Sequence, residues 1–106
     1  MKRTCIHSDG FYDRAEAQIY NNSSYGVSGY ELTAQVEAYQ SGNWYNVGPA
    51  AKATGITLLP GQTFTIYTSW QYDYAPYGER SHLQLSLTSG GTYYYTDQHS
   101  PQSSVY

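Results

Sequence analysis

Apolar and polar side chains alternate with a period of two along most of this chain. That is the spacing of strands with one face in a core and one in water. From Arg14 to Tyr20, Ala15, Ala17 and Ile19 fall on one face and Glu16, Gln18 and Tyr20 on the other. The clearest run is Tyr30 to Gln40, with Tyr30, Leu32, Ala34, Val36 and Ala38 on one face and Glu31, Thr33, Gln35, Glu37 and Tyr39 on the other. Wound as a helix, the same stretch would scatter its apolar residues around the axis. Ser41-Gly42-Asn43 breaks the run, and Trp44 to Val47 reads as the return arm of a hairpin that ends at Gly48-Pro49. A further strand runs from Lys52 into Ile56 and Leu58, and Pro60-Gly61 then turns the chain. In Thr63 to Tyr72 the face of Phe64, Ile66, Thr68, Trp70 and Tyr72 is expected to point inward. Leu83, Leu85 and Leu87 mark one face of His82 to Thr88. Ser89-Gly90-Gly91 turns the chain, and Thr92 to Thr96 closes the series.

Such a series predicts an all-β domain of about seven strands, an antiparallel two-sheet β-sandwich of immunoglobulin-like kind. A small closed β-barrel is the alternative. The domain is expected over residues 14–96, with an N-terminal arm over 1–13 and a C-terminal tail over 97–106. Ile56 to Ile66 resembles the strand, Pro-Gly turn, strand of many bacterial immunoglobulin-like modules. The stretch is short and shared by unrelated families, so it names none.

Composition turns this fold toward binding. Fourteen of the 106 residues are Tyr and ten are Gly, while only 12% are charged, against roughly 25% in an average globular domain. Tyrosine couples an apolar ring to a hydroxyl and suits half-wet surfaces. Rigid aromatic rings beside small polar residues are what binding surfaces use. The net charge of −3 is carried with only five basic residues. Lys2 and Arg3 stand together, while Arg14, Lys52 and Arg80 are scattered. No basic footprint for nucleic acid or an anionic membrane results. No stretch approaches the roughly 20 apolar residues of a membrane-spanning helix. The start lacks the apolar segment of a signal peptide, and the composition favours a mature extracellular form behind an added Met. Cys5 is the single cysteine. It is expected to be an inert thiol, with a link to another chain as the alternative.

Two segments are candidate binding surfaces. Trp70, Tyr72, Tyr74 and Tyr77 surround Asp73 in one loop, where rings can stack on a sugar or anchor a protein and the carboxylate can accept hydroxyl hydrogen bonds. The competing reading puts Trp70 in the core. Tyr93, Tyr94 and Tyr95 form a strand with Tyr93 and Tyr95 on one face and Tyr94 on the other, so one side should be buried and one wet. At a sheet edge this strand would lack the Lys, Pro or bulge that guards edges, inviting a partner strand. A central position with cross-strand Tyr pairs is the alternative.

Catalytic signals are poor. His82 is expected on an outward face as a solvated side chain. His7 with Asp9 and Asp13, or Asp97 with His99, could ligate a metal, but neither matches a zinc or EF-hand spacing. No metal or cofactor is therefore expected. No Gly-x-Ser-x-Gly elbow is present. Glu31 and Glu37 on one strand face lie about 20 Å apart at roughly 3.3 Å per residue, too far for a glycosidase pair. Asn21 and Asn22 begin overlapping N-x-Ser sequons, read here as a polar turn. The expected function is a non-enzymatic extracellular or virion interaction module that binds a protein partner or its own copies. A carbohydrate-binding module or small lectin, and a proteinase inhibitor presenting Tyr72 to Gly78, are the competing functions.

Overall fold

The alternating run around Leu32, Ala34 and Val36 becomes the middle of the larger of two sheets. The computed structural model describes residues 2–8, 11–72, 78–89 and 91–101, the side chains of Tyr72 and Ser89 excepted. Its strands are β1 (Lys2–Ser8), β2 (Tyr12–Tyr20), β3 (Val27–Gln40), β4 (Asn43–Leu58), β5 (Thr63–Tyr67), β6 (Gln71–Tyr72), β7 (Glu79–Ser89) and β8 (Thr92–His99). The first sheet has the order β1-β2-β5, and the two-residue β6 pairs β2 beyond the end of β5. The second has the order β4-β3-β7-β8. Every pairing is antiparallel. The protein is thus all-β, with seven full strands in open sheets of three and four. The closed-barrel alternative does not form.

The expected faces meet in the core. Ala15, Ala17 and Ile19 of β2, Leu32, Ala34 and Val36 of β3, Ile56 and Leu58 of β4, and Leu83 of β7 are all at most 5% exposed. Three of these are alanine, so the sheets can approach closely at their centre. Phe64, Ile66, Ile6 and Leu85 pack around the margin. Each large side chain buried this way contributes about 1.5–3 kcal/mol. Polar groups tie the sheets as well. The Thr4 hydroxyl donates to the Glu16 carbonyl at 2.7 Å and is hydrogen-bonded to the Ser81 hydroxyl. Asp13 and Glu79, each 1% exposed, are the most deeply buried carboxylates among the described residues.

Several boundaries differ from the sequence expectation. Residues 2–8, expected within an arm, form β1 and pair with β2 from Lys2↔Ile19 to Ser8↔Asp13. Residues 97–99, expected in a tail, extend β8, and Ser100 exchanges hydrogen bonds with the Ser81 backbone at 2.7 and 2.8 Å. Gly48-Pro49 does not end a strand, and two expected strands merge into β4. The count of seven survives because one strand was gained and one lost.

The merger works through a bulge. Val36 pairs Val47 and Ala34 pairs Ala51, so residues 48–50 stand opposite Gln35 alone. Gly48 takes φ +67° there, a region that an L side chain rarely adopts. The Gln35 side chain turns into the bulge, its Nε2 3.1 Å from the carbonyls of Val36, Val47 and Gly48. A second irregularity sets Thr54 and Gly55 opposite Glu31. The expected turns are present. Ser41 and Gly42, at φ 53° and 84°, make a two-residue turn of type I′. Gln62 N–H donates to the Leu59 carbonyl at 3.0 Å around Pro60-Gly61.

Candidate functional site

The register places Tyr93 to Tyr95 on β8, at one lateral edge of the second sheet. β8 pairs β7 without interruption from Ser89↔Thr92 to His82↔His99, and among the described residues no strand pairs its other side. The central-strand alternative is therefore set aside. From Thr92 to Thr96 the strand carries no charge and no proline. The opposite edge is unlike it, because β4 carries Pro49, Lys52 and both bulges. Those are the devices that keep an edge from pairing.

The expectation of one buried and one wet side at Tyr93–Tyr95 is corrected. Tyr93, Tyr94 and Tyr95 are 64%, 57% and 50% exposed. Tyr94 lies on the inner face, opposite Leu87, which pairs on to Tyr30. Here Tyr30, Leu85, Leu87, Tyr94 and Thr96 line an open cleft of about 220 Å³. On the outer face Tyr93 and Tyr95 border a second, more polar cleft with Thr33, Gln84 and the Lys52–Glu31 ion pair (2.9 Å). The Tyr95 hydroxyl accepts from Gln84 Nε2 at 2.9 Å. An extended segment needs such alternating pockets, one apolar and one polar, beside an unpaired edge.

Trp70 lies elsewhere. It was expected to face inward, but strand pairing lapses at residues 68–70 between β5 and β6, and its side chain emerges 42% exposed. The Arg14 guanidinium sits 4.6 Å from the Trp70 ring and 4.1 Å from the Tyr67 ring. The backbone of Tyr72 pairs with Tyr12 in β6. Asp73, Tyr74, Tyr77 and the Tyr72 side chain lie outside the described residues. β5 packs against β3 and β4, whereas β8 packs against β1. Trp70, beside the β5–β6 side of the first sheet, is therefore apart from the β8 tyrosines. The Asn21 side chain donates to the carbonyls of Tyr25 and Leu58 at 3.0 and 2.9 Å, which is the work of a polar turn.

Cross-strand register also assembles two clusters of titratable groups that linear spacing reveals only in part. On the outer face of the first sheet, Cys5 pairs opposite Glu16, with Arg3 and His7 on the diagonals. Glu16 is 4% exposed, with Arg3 at 2.9 Å and His7 Nε2 at 3.0 Å. Burial pushes the Glu16 carboxyl up, but hydrogen bonds from His7, Arg3, Tyr67 and Cys5 outweigh it and hold the group below its usual range. Burial, then the Glu16 charge, pushes the Cys5 thiol up, so it stays protonated at neutral pH. His7 Nε2 faces both Cys5 Sγ (3.6 Å) and Glu16. A nucleophile relay needs the two opposite ring nitrogens, so this geometry does not form one.

On the outer face of the second sheet, Glu37, His82 and His99 meet. His82, expected to be solvated, is 17% exposed and contacts Glu37 through Nδ1 (3.4 Å) and Asp97 through Nε2 (3.1 Å). His99 stacks on it at 4.0 Å and approaches Glu37 at 3.6 Å. Burial, with repulsion from His82 and Arg80, lowers the His99 pKa against the pull of Glu37 and Asp97. The available signal was Arg80-x-His82 and Asp97-x-His99, since i and i+2 share a strand face. Neither a protein-family model nor a curated protein matches the chain by sequence, so the functional reading rests on this geometry.

Proposed function

We propose that the protein is a non-enzymatic interaction or assembly module, acting outside the cell or in a virion. It binds a protein partner or a second copy of itself along the β8 edge. The observation that carries this is the contrast between the two edges of the second sheet. β4 is guarded by Pro49, Lys52 and bulges, while β8 is regular, uncharged over Thr92–Thr96 and lined by three exposed tyrosines. Backbone pairing would supply affinity, and the clefts on either face would read alternate side chains. The Trp70 to Gly78 loop is a second contact surface in this reading. An immunoglobulin-like relationship is part of the proposal, supported by the strand orders β1-β2-β5 and β4-β3-β7-β8 with chain crossings between sheets after β2, β4 and β6.

Light scattering after size exclusion, over a wide concentration range, tests the self-pairing form. The expected result is a dimer that grows in with concentration and is lost in Tyr94→Lys, which places a guard on the edge. A monomer at all concentrations, for wild type and variant alike, overturns self-pairing. It would leave a foreign partner as the occupant, a protein at β8 or a protein or glycan at Trp70.

A further inference from the structure

We propose that Glu37, His82 and His99 bind one divalent transition-metal ion, zinc being the best match, with Arg80 and Asp97 orienting the ligands. Three neighbouring strands hold these groups. His82 on β7 and His99 on β8 are direct cross-strand partners, and Glu37 on β3 is two residues along from Gln35, the β3 partner of His82. One ligand atom from each residue lies within 4.8 Å of the other two. Glu37 Oε2 to His82 Nδ1 is 3.4 Å, and Glu37 Oε1 to His99 Nε2 is 3.6 Å. A tetrahedral zinc ion with bonds of about 2.0–2.1 Å needs ligand atoms about 3.4 Å apart. Two imidazoles and a carboxylate leave a fourth position for water.

The surroundings fit an ion as well as the ligands do. Asp97 Oδ2 holds His82 Nε2 at 3.1 Å, which leaves Nδ1 directed at Glu37. That is the carboxylate–histidine support typical of metal sites. Arg80 Nε fixes Glu37 Oε1 at 2.7 Å and is itself held over the Trp44 ring at 4.1 Å. With neutral imidazoles, Glu37, Asp97 and Arg80 leave a local charge that favours a cation. A metal lies in the plane of each imidazole that ligates it, so the stacked His99 ring must turn on binding. Its side chain is 35% exposed on an edge strand and has room to do so. In the cluster of Cys5, His7 and Glu16, by contrast, no carboxylate among the described residues supports His7 through its second ring nitrogen as Asp97 supports His82.

Titration calorimetry of tag-free, chelator-treated protein with zinc chloride tests the proposal, with cobalt(II) absorption reporting coordination geometry. The expected result is one ion per chain and a tetrahedral cobalt spectrum. Zinc should raise the melting midpoint, as any ligand selective for the native state must. His99→Asn, on the exposed edge, should weaken binding at least about 10-fold and Asp97→Asn about 10-fold, while His7→Asn leaves it unchanged. No heat and no melting shift at millimolar zinc would overturn the proposal. So would binding that persists in both His99→Asn and His82→Gln, or that disappears in His7→Asn. The measurement is made at concentrations where the chain is monomeric, so the result is independent of pairing at β8.

Discussion

At the residue scale, two outer-face groups link stability to pH. The folded pKa of Glu16 lies below its ordinary 4.5. Its contribution is present above that value and is lost as pH falls through the folded value. The folded pKa of His99 also lies below its ordinary 6.5, through burial first and then the neighbouring His82 and Arg80. The native state then binds fewer protons than the unfolded chain, so stability falls as pH drops from 6.5 through the folded value. Melting midpoints measured against pH should descend in two limbs. His99→Asn should flatten the upper limb, and Glu16→Gln the lower one. A single limb unaffected by either variant would show that these groups are not the ones that titrate.

At the element scale, the strands read from sequence are those whose alternation survives in the fold. Ala15-Ala17-Ile19, Leu32-Ala34-Val36 and Leu83 are all buried because each has a sheet directly above it. β1 was not legible, since Lys2 to Ser8 offers mainly polar residues and becomes a strand only by pairing with β2. β4 was divided at Gly48-Pro49, which ordinarily ends a strand, but an edge strand can absorb both in a bulge. The inward face expected for Thr63 to Tyr72 fails at Trp70 because alternation assumes an unbroken strand, and pairing lapses at residues 68–70. The tyrosines of β8 were found by composition, but their edge position depends on strand order. The Glu37–His82–His99 cluster depends on register, which single-chain spacing does not encode. The bulge carries its own prediction. Gln35→Ala leaves the Val47 and Gly48 carbonyls without their side-chain donor and should cost about 1–2 kcal/mol. The urea midpoint should fall at constant m-value. An unchanged midpoint would mean that water serves these carbonyls equally well.

At the scale of the whole molecule, protection from solvent should be graded across the second sheet. β3 and β7 have strands on both sides, whereas Tyr93 to Tyr95 of β8 are exposed on both faces. Amide exchange should be slowest around Leu32 to Val36 and fastest, within this sheet, at Thr92 to Tyr95. Uniform protection across β8 and β3 would contradict the picture of an open edge. The unequal edges of this sheet would also fix the stoichiometry of the proposed self-pairing. Two chains that join β8 to β8 are related by a twofold axis perpendicular to the sheet, and both margins of the joined eight-stranded sheet are then β4. Pro49, Lys52 and the bulges would face outward on either side, and along this sheet such an assembly would count to two and stop.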